Sequence, residues 1–194
     1  VTLLPGSRRG EALRHLPDMA EAAGRLAAER DVQFILAVPA GVWPDGGAGL
    51  SRRMGRLPVR VVEGRTWDAI AHADVALAAS GTVTIETALL GTPMVTFYRV
   101  SPLTWLAKPL VEAPFYSMVN LVAGRAIVPE LIQNNMSGER LAEEAARLLD
   151  DPAARETMRR ELAAVAARLR GSWDPMERAA VIAEQLLTLG GGVT

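Results

Sequence analysis

Short apolar runs recur along this chain at spacings that leave room for a helix between each pair, and this alternation constrains the fold more than any single motif. The runs are Thr2 to Leu4, Gln33 to Val38, Val59 to Val62, Val75 to Ala78, Met94 to Phe97 and, more weakly patterned, Ala126 to Val128. Helical periodicity fills the gaps at Glu11 to Glu29, Leu50 to Met54, Thr66 to His72, Thr82 to Leu90 and Pro102 to Val111. Strands that alternate with helices predict an α/β fold: a parallel sheet covered by helices. In the first helix Leu13, Leu16, Ala20, Ala23 and Ala27 fall at steps of three and four and share an apolar face, with Pro17 expected to break or kink it. After Glu130 the pattern is helix alone. Gly138 to Leu149, Pro152 to Leu169 and Pro175 to Leu189 read as helices that cover the sheet, with Asp151 and Asp174 each set before a proline as an N-cap precedes N1.

With 194 residues the chain can bury one good core. A formal charge of −1 leaves no net basic field for a phosphate backbone, so a nucleic-acid partner is not expected. The clusters Arg8-Arg9 and Arg52-Arg53-Arg56 are local exceptions; the second reads as solvated charge. Cysteine is absent, which removes disulfides and thiolate metal sites and suits a reducing compartment. The two histidines, His15 and His72, have no suitably spaced partner, so no metal site is expected and both read as surface or helix-end residues. No apolar run reaches the roughly 18 residues that span a bilayer. Val1 to Leu4 is already strand-like and runs straight into Pro5-Gly6, from which we expect that further chain precedes it.

Candidate chemistry concentrates in Ala78-Ala79-Ser80-Gly81-Thr82-Val83-Thr84-Ile85-Glu86. A buried strand, a small polar turn and a helix place free N–H groups and a positive dipole end where phosphate oxygens bind. Ser80 reads as the N-cap, Gly81 as the point where a ligand approaches the backbone, and Glu86 as an acceptor for a ribose diol one turn further in. An ordinary capped helix with a solvated Glu86 explains the same residues. Gly6-Ser7-Arg8 also follows a strand and precedes a helix, so Arg8 would lie at the carboxyl edge of the sheet where ligands bind; an exposed loop arginine is the alternative. Asn120, Arg125, Glu130 and Gln133 recur within an apolar stretch and need partners, in a binding pocket or in one another and the backbone. Leu103, Trp105 and Leu106 with Lys108, followed by Phe115-Tyr116, form an apolar and aromatic patch suited either to a membrane surface or to the core.

Leu3 to Arg8 (Leu-Leu-Pro-Gly-Ser-Arg), Ala79 to Thr82 with Glu86, Pro93-Met94-Val95 with Tyr98-Arg99, Asn120 to Arg125, and Val128 to Gln133 together resemble the lipid-A-disaccharide synthases, in the same order over nearly the whole chain. The resemblance implies the C-terminal, donor-binding half of a two-domain glycosyltransferase of GT-B type, a Rossmann-like three-layer sheet with helices on both faces plus C-terminal helices. It implies a UDP-sugar donor domain over 1–170, and over 171–194 a helix that packs back toward an N-terminal domain. The implied reaction transfers 2,3-diacylglucosamine from UDP to 2,3-diacylglucosamine 1-phosphate, forming a β-1,6 disaccharide for lipid A. Partners would be UDP-2,3-diacylglucosamine and the lipid acceptor, with no metal or other cofactor. The protein would sit in the cytoplasm, peripheral to the inner face of the bacterial inner membrane. By the same resemblance Ser80, Gly81 and Thr82 hold the diphosphate, Glu86 the ribose, and the Ser7-Arg8 loop the leaving phosphates. Asn120, Arg125, Glu130 and Gln133 line the donor pocket, and the loop Glu63-Gly64-Arg65 pins the uracil. Val119 stands where the family usually has proline. The general base is expected in the N-terminal half, so this half alone should bind donor without turning it over. Two other readings are a UDP-N-acetylglucosamine 2-epimerase type of enzyme and a non-catalytic nucleotide-binding module.

Overall fold

The computed structural model describes all residues except 44, 46, 56, 100–113, 171–173 and 191–194, and for 175 and 188–190 the backbone alone. Six parallel strands form one sheet: β1 Thr2–Leu4, β2 Phe34–Val38, β3 Val59–Glu63, β4 Ala76–Ala79, β5 Met94–Tyr98 and β6 Glu130–Ile132, in the spatial order β3-β2-β1-β4-β5-β6. This is the order of a doubly wound dinucleotide-binding sheet, which reverses direction between β1 and β4. Central strands covered on both sides must be apolar throughout. β1 and β4 accordingly bury every residue.

Helices α1 Arg9–Glu29, α2 Ala48–Arg53, α3 Thr66–Ala71, α4 Thr82–Leu89, α5 Met118–Ala123, α6 Gly138–Asp150, α7 Pro152–Arg170 and α8 Pro175–Gly190 follow the strands. They fall into two packed groups, α1 with α2 and α6, and α4 with α3, α5 and α7, as a three-layer sandwich requires. The expected α/β architecture is the one observed, with strand ends within a residue of the predicted runs for the first five strands. Asp151 accepts from the N–H groups of Ala153 and Ala154 at 2.9 and 3.0 Å, and Asp174 from Met176 at 2.7 Å, so both cap their helices as the sequence suggests.

Three local expectations are corrected. α1 runs unbroken through Pro17, which lies on its exposed side, while Ala12, His15, Leu16, Met19, Ala22, Ala23 and Leu26 form the buried face. One lost hydrogen bond on the solvent side does not outweigh that burial. The sixth strand is Glu130–Ile132 and not Ala126 to Val128, because the N–H groups of Ile127 and Val128 and the carbonyl of Val128 are bonded to the Asn120 side chain instead of a neighbouring strand. His15 is neither at the surface nor at a helix end. It is fully buried in α1, one ring nitrogen 2.8 Å from the Pro5 carbonyl and the other accepting from the Arg99 N–H at 3.2 Å. His72 does lie at the exposed C-cap of α3. The predicted helix from Pro102 to Val111 and the patch around Trp105 lie outside the described residues.

Candidate functional site

Where the strand order reverses, the loops after β1 and β4 diverge and leave a crevice at the carboxyl ends of the strands. A cavity of about 850 Å³ occupies it. Its walls come from the turn after β1 (Gly6, Ser7, Arg8), the loop after β3 with the start of α3 (Gly64 to Asp68) and the start of α4 (Ser80 to Val83, with Glu86). Ser7, Arg8, Gly64, Ser80, Gly81, Thr82 and Glu86 therefore face one space, although they come from three separate stretches of sequence. Asn120, Arg125, Glu130 and Gln133 are not among its wall residues.

Each wall has a local cause. Gly6 adopts φ +114°, and a Cβ there would meet the Glu11 carboxylate at 2.5 Å, so the turn that presents Ser7 and Arg8 requires glycine. Arg8 is the exposed N-cap residue of α1 and has no carboxylate partner among the described residues. Gly64, at φ +70°, turns the chain from β3 into α3. α4 starts at Thr82 with Gly81 as its cap residue, and no side chain closes that end. Ser80 is thus not the N-cap expected: its hydroxyl donates to the Tyr116 carbonyl at 2.7 Å. The Thr84 hydroxyl instead turns back onto the Gly81 carbonyl at 2.7 Å. Glu86, half-buried, accepts from the Trp67 indole N–H at 3.0 Å through Oε2.

Sequence reasoning overlooked Glu11, Trp67 and Tyr98 as members of this wall. Burial first, and the neighbouring Glu11 carboxylate next, push the Tyr98 phenol's pKa upward, so it keeps its proton at neutral pH. Trp67 carries the clearest unread signal: a tryptophan at the second position of a helix directly after a strand, 63% exposed.

Of the remaining four residues, Asn120 and Glu130 build a layer next to the cavity, whereas Arg125 pairs with α7 and Gln133 opens the turn after β6. Asn120 is fully buried, and its amide is saturated. Oδ1 accepts from Ile127 and Val128 at 2.8 and 3.1 Å, and Nδ2 donates to the Val128 carbonyl at 2.9 Å and to Glu130 at 2.8 Å. Glu130 also accepts from the N–H groups of Tyr116 and Ser117 at 2.9 Å each and from the Ser117 hydroxyl at 2.8 Å. Ser117 caps α5, another element absent from the sequence reading, and Gly124 at φ +71° ends it; a serine and a glycine flanking six residues were the available signal. Arg125 is exposed and pairs with Glu161 on α7. Gln133 holds φ +53°, left-handed for a non-glycine residue, and opens a 3₁₀ turn after β6. Because Tyr116 receives the Ser80 hydroxyl and donates to Glu130, this layer is wired to the cavity wall through one residue.

Comparison with known proteins agrees with this geometry. The family model described as lipid-A-disaccharide synthetase matches residues 1–181. A lipid-A-disaccharide synthase of Solibacter usitatus is 54% identical over 188 residues, and one of Geobacter sulfurreducens 43% identical over 190; each alignment covers 96% of this chain and 49% of the relative. The chain therefore spans about half the length of the curated relatives it matches. Among solved structures, the calicheamicin glycosyltransferase CalG4 aligns with a TM-score of 0.53 at 18% identity, over the whole of this chain and 42% of the other. A Listeria monocytogenes protein assigned as a UDP-N-acetylglucosamine 2-epimerase gives 0.53 at 16%, over 81% and 38%. At such identities the two structures share the fold and do not separate the transferase from the epimerase. The family model and the sequence relatives show more: the chain belongs to the lipid-A-disaccharide synthetase family.

Proposed function

We propose that this chain is the nucleotide-sugar donor half of a lipid-A-disaccharide synthase. The full enzyme transfers 2,3-diacylglucosamine from UDP to 2,3-diacylglucosamine 1-phosphate and forms the β-1,6 disaccharide of lipid A biosynthesis. The observation that carries the reading is the cavity at the reversal of strand order, where Arg8, the uncapped start of α4 and Glu86 meet in a chain of this family.

On this reading the diphosphate lies over Gly81 and Thr82, against the free N–H groups and positive dipole end of α4. Arg8 approaches from the opposite wall with no carboxylate to release first. Glu86 has its Oε2 occupied by Trp67, which leaves Oε1 to accept from the ribose hydroxyls. The uracil lies toward Gly64 and the Trp67 ring. As the acceptor hydroxyl attacks the anomeric carbon, the bond to the UDP oxygen breaks and charge gathers on the departing phosphate. Arg8 and the helix end meet that charge without a metal ion, a role worth several kcal/mol in a closed site. The acceptor and the base that takes its proton are assigned to the other half of the full-length enzyme. The enzyme acts at the inner face of the bacterial inner membrane; among the described residues no helix is long and apolar enough to cross one. α8 exposes Met176, Val181, Ile182, Leu186 and Leu187, and we assign that face to contact with the other half.

Calorimetric titration with UDP tests the proposal. Saturable binding is expected, weakened roughly 10- to 100-fold by Arg8→Ala or Glu86→Ala, the range set by one lost charged hydrogen bond. Glu86→Ala should weaken UDP more than pyrophosphate, which has no ribose. Wild-type protein that binds no UDP, or variants that bind as well as wild type, would overturn it.

A further inference from the structure

We propose that this domain carries a second anion site, separate from the nucleotide cleft and suited to a phosphate or phosphomonoester group. A cavity of about 460 Å³ opens between the start of α1, the loop after β2 and α2, with Arg9, Trp43, Asp45, Arg52 and Arg53 in its walls. None of its wall residues belongs to the cleft described above.

Charge and an orphaned donor point to the ligand. Three guanidinium groups face one carboxylate, and that carboxylate is already committed. Asp45 accepts from the Gly47 N–H at 3.2 Å and the Gly49 N–H at 2.6 Å, which builds the turn into α2, and its other contact is Arg52 at 3.6 Å. Its pKa is lowered, by the Gly49 N–H above all, so it remains ionised and neutralises only Arg52. Arg9 and Arg53 have no carboxylate partner among the described residues. Arg9 is stacked with its guanidinium carbon 5.5 Å from the centre of the Trp43 ring, a cation–π contact that aligns it with the wall.

Trp43 is 6% exposed, and among the described residues its buried indole N–H has no acceptor. Such a donor is costly and rare in a folded interior. In the wall of a cationic cavity, the acceptor that suits it is an anion's oxygen. A tetrahedral phosphate also offers oxygens in more than one plane, as forks from two elements, α1 and α2, require; a flat carboxylate satisfies one fork well. The sequence pattern alone suggests solvated charge at Arg52 and Arg53, and the cavity gives them a shared direction.

The site is tested on the whole chain labelled with ¹⁵N at its four tryptophans. The indole resonances are assigned by Trp43→Phe and Trp67→Phe. Titration with inorganic phosphate against sodium chloride of equal ionic strength should shift the Trp43 resonance saturably. Arg53→Ala, at an exposed position with no carboxylate partner among the described residues, should leave the unfolding temperature unchanged and weaken the response at least about fivefold, as for a lost charge-assisted contact. The Trp67 resonance reports the nucleotide cleft independently, so failure of UDP to bind there does not decide this test. Co-sedimentation with phosphatidylcholine vesicles, with and without phosphatidic acid, identifies the source. Binding to phosphatidic acid that Arg53→Ala abolishes means a lipid headgroup; a phosphate response without it means a soluble phosphoester. A Trp43 resonance unmoved by phosphate, or moved equally by chloride, overturns the proposal.

Discussion

Replacing Asn120 separates two roles for the residue, a clamp next to the cleft and a direct contact to the nucleotide sugar. Asn120→Ala removes two acceptor bonds, from Ile127 and Val128, and two donor bonds, to Val128 and Glu130. Three neutral bonds at about 1 kcal/mol and one to a carboxylate at about 2 kcal/mol give about 5 kcal/mol as a ceiling. Ile127 and Glu130 are half-buried, and water recovers some of that, so we expect about 3–5 kcal/mol. In a chain of this size the loss lowers the unfolding temperature by about 6–20 °C. Circular dichroism melts measure this. Calorimetry below the transition then compares UDP affinity with wild type, where a clamp predicts a change within about threefold, or roughly 0.65 kcal/mol. Asn120→Asp sharpens the test, because it keeps both acceptor bonds but sets a second carboxylate 2.8 Å from Glu130. Such a pair holds a proton in the folded state that the unfolded chain has released, so its folded pKa is raised. The variant should be least destabilised below the ordinary carboxylate range and lose stability as pH rises through the raised value. An unchanged melting temperature together with lost UDP binding would refute the clamp and make the amide a ligand contact.

His15 has its pKa lowered, by burial first, so the folded state resists its protonation. Its stability contribution is complete above the unfolded value of about 6.5 and is lost as pH falls through the depressed folded value; urea midpoints should drop across that window in wild type and not in His15→Gln. Gly138 opens α6, where an added Cβ would collide with the Glu21 Cβ on α1. Gly138→Ala must push these packed helices apart, and its denaturation midpoint should reveal a loss of about 1–3 kcal/mol; a neutral result would refute that tight packing. Trp67→Phe keeps a ring at the cleft but frees Glu86 from its 3.0 Å indole bond. If Trp67 positions Glu86, UDP affinity should fall while pyrophosphate affinity stays, and equal losses would count against it.

The sheet was legible because most of its strands are short, mainly apolar runs and helices of recognisable period separate them, so periodicity and order agree without reference to distant contacts. Boundaries held where a cap residue acts locally, as Asp151 does. The stretch from 117 to 132 was misread because its signals are non-local. An apolar run at Ala126 to Val128 has the composition of a strand, but whether it pairs depends on Asn120, whose amide takes those backbone groups first. His15 misled for a similar reason: a polar residue on an apolar helix face suggests the surface until Pro5 and the Arg99 backbone supply partners from elsewhere in the chain.

The cleft's wall and its neighbouring layer meet at Tyr116, and this gives the second motif a physical place. Ser80 commits its proton to the Tyr116 carbonyl, so in this state its oxygen can accept a hydrogen bond but has no proton left to donate to a phosphate. A diphosphate that recruits the Ser80 hydroxyl must therefore release Tyr116. The Tyr116 N–H is held by Glu130, and Glu130 by Ser117 and Asn120, so the strain would pass directly into that layer. A diphosphate that uses only the N–H groups of α4 leaves the layer undisturbed. Asn120 and Glu130 thus connect to the cleft only through Tyr116, and a diphosphate held by the α4 N–H groups alone leaves its affinity independent of them, as the clamp reading of Asn120 requires.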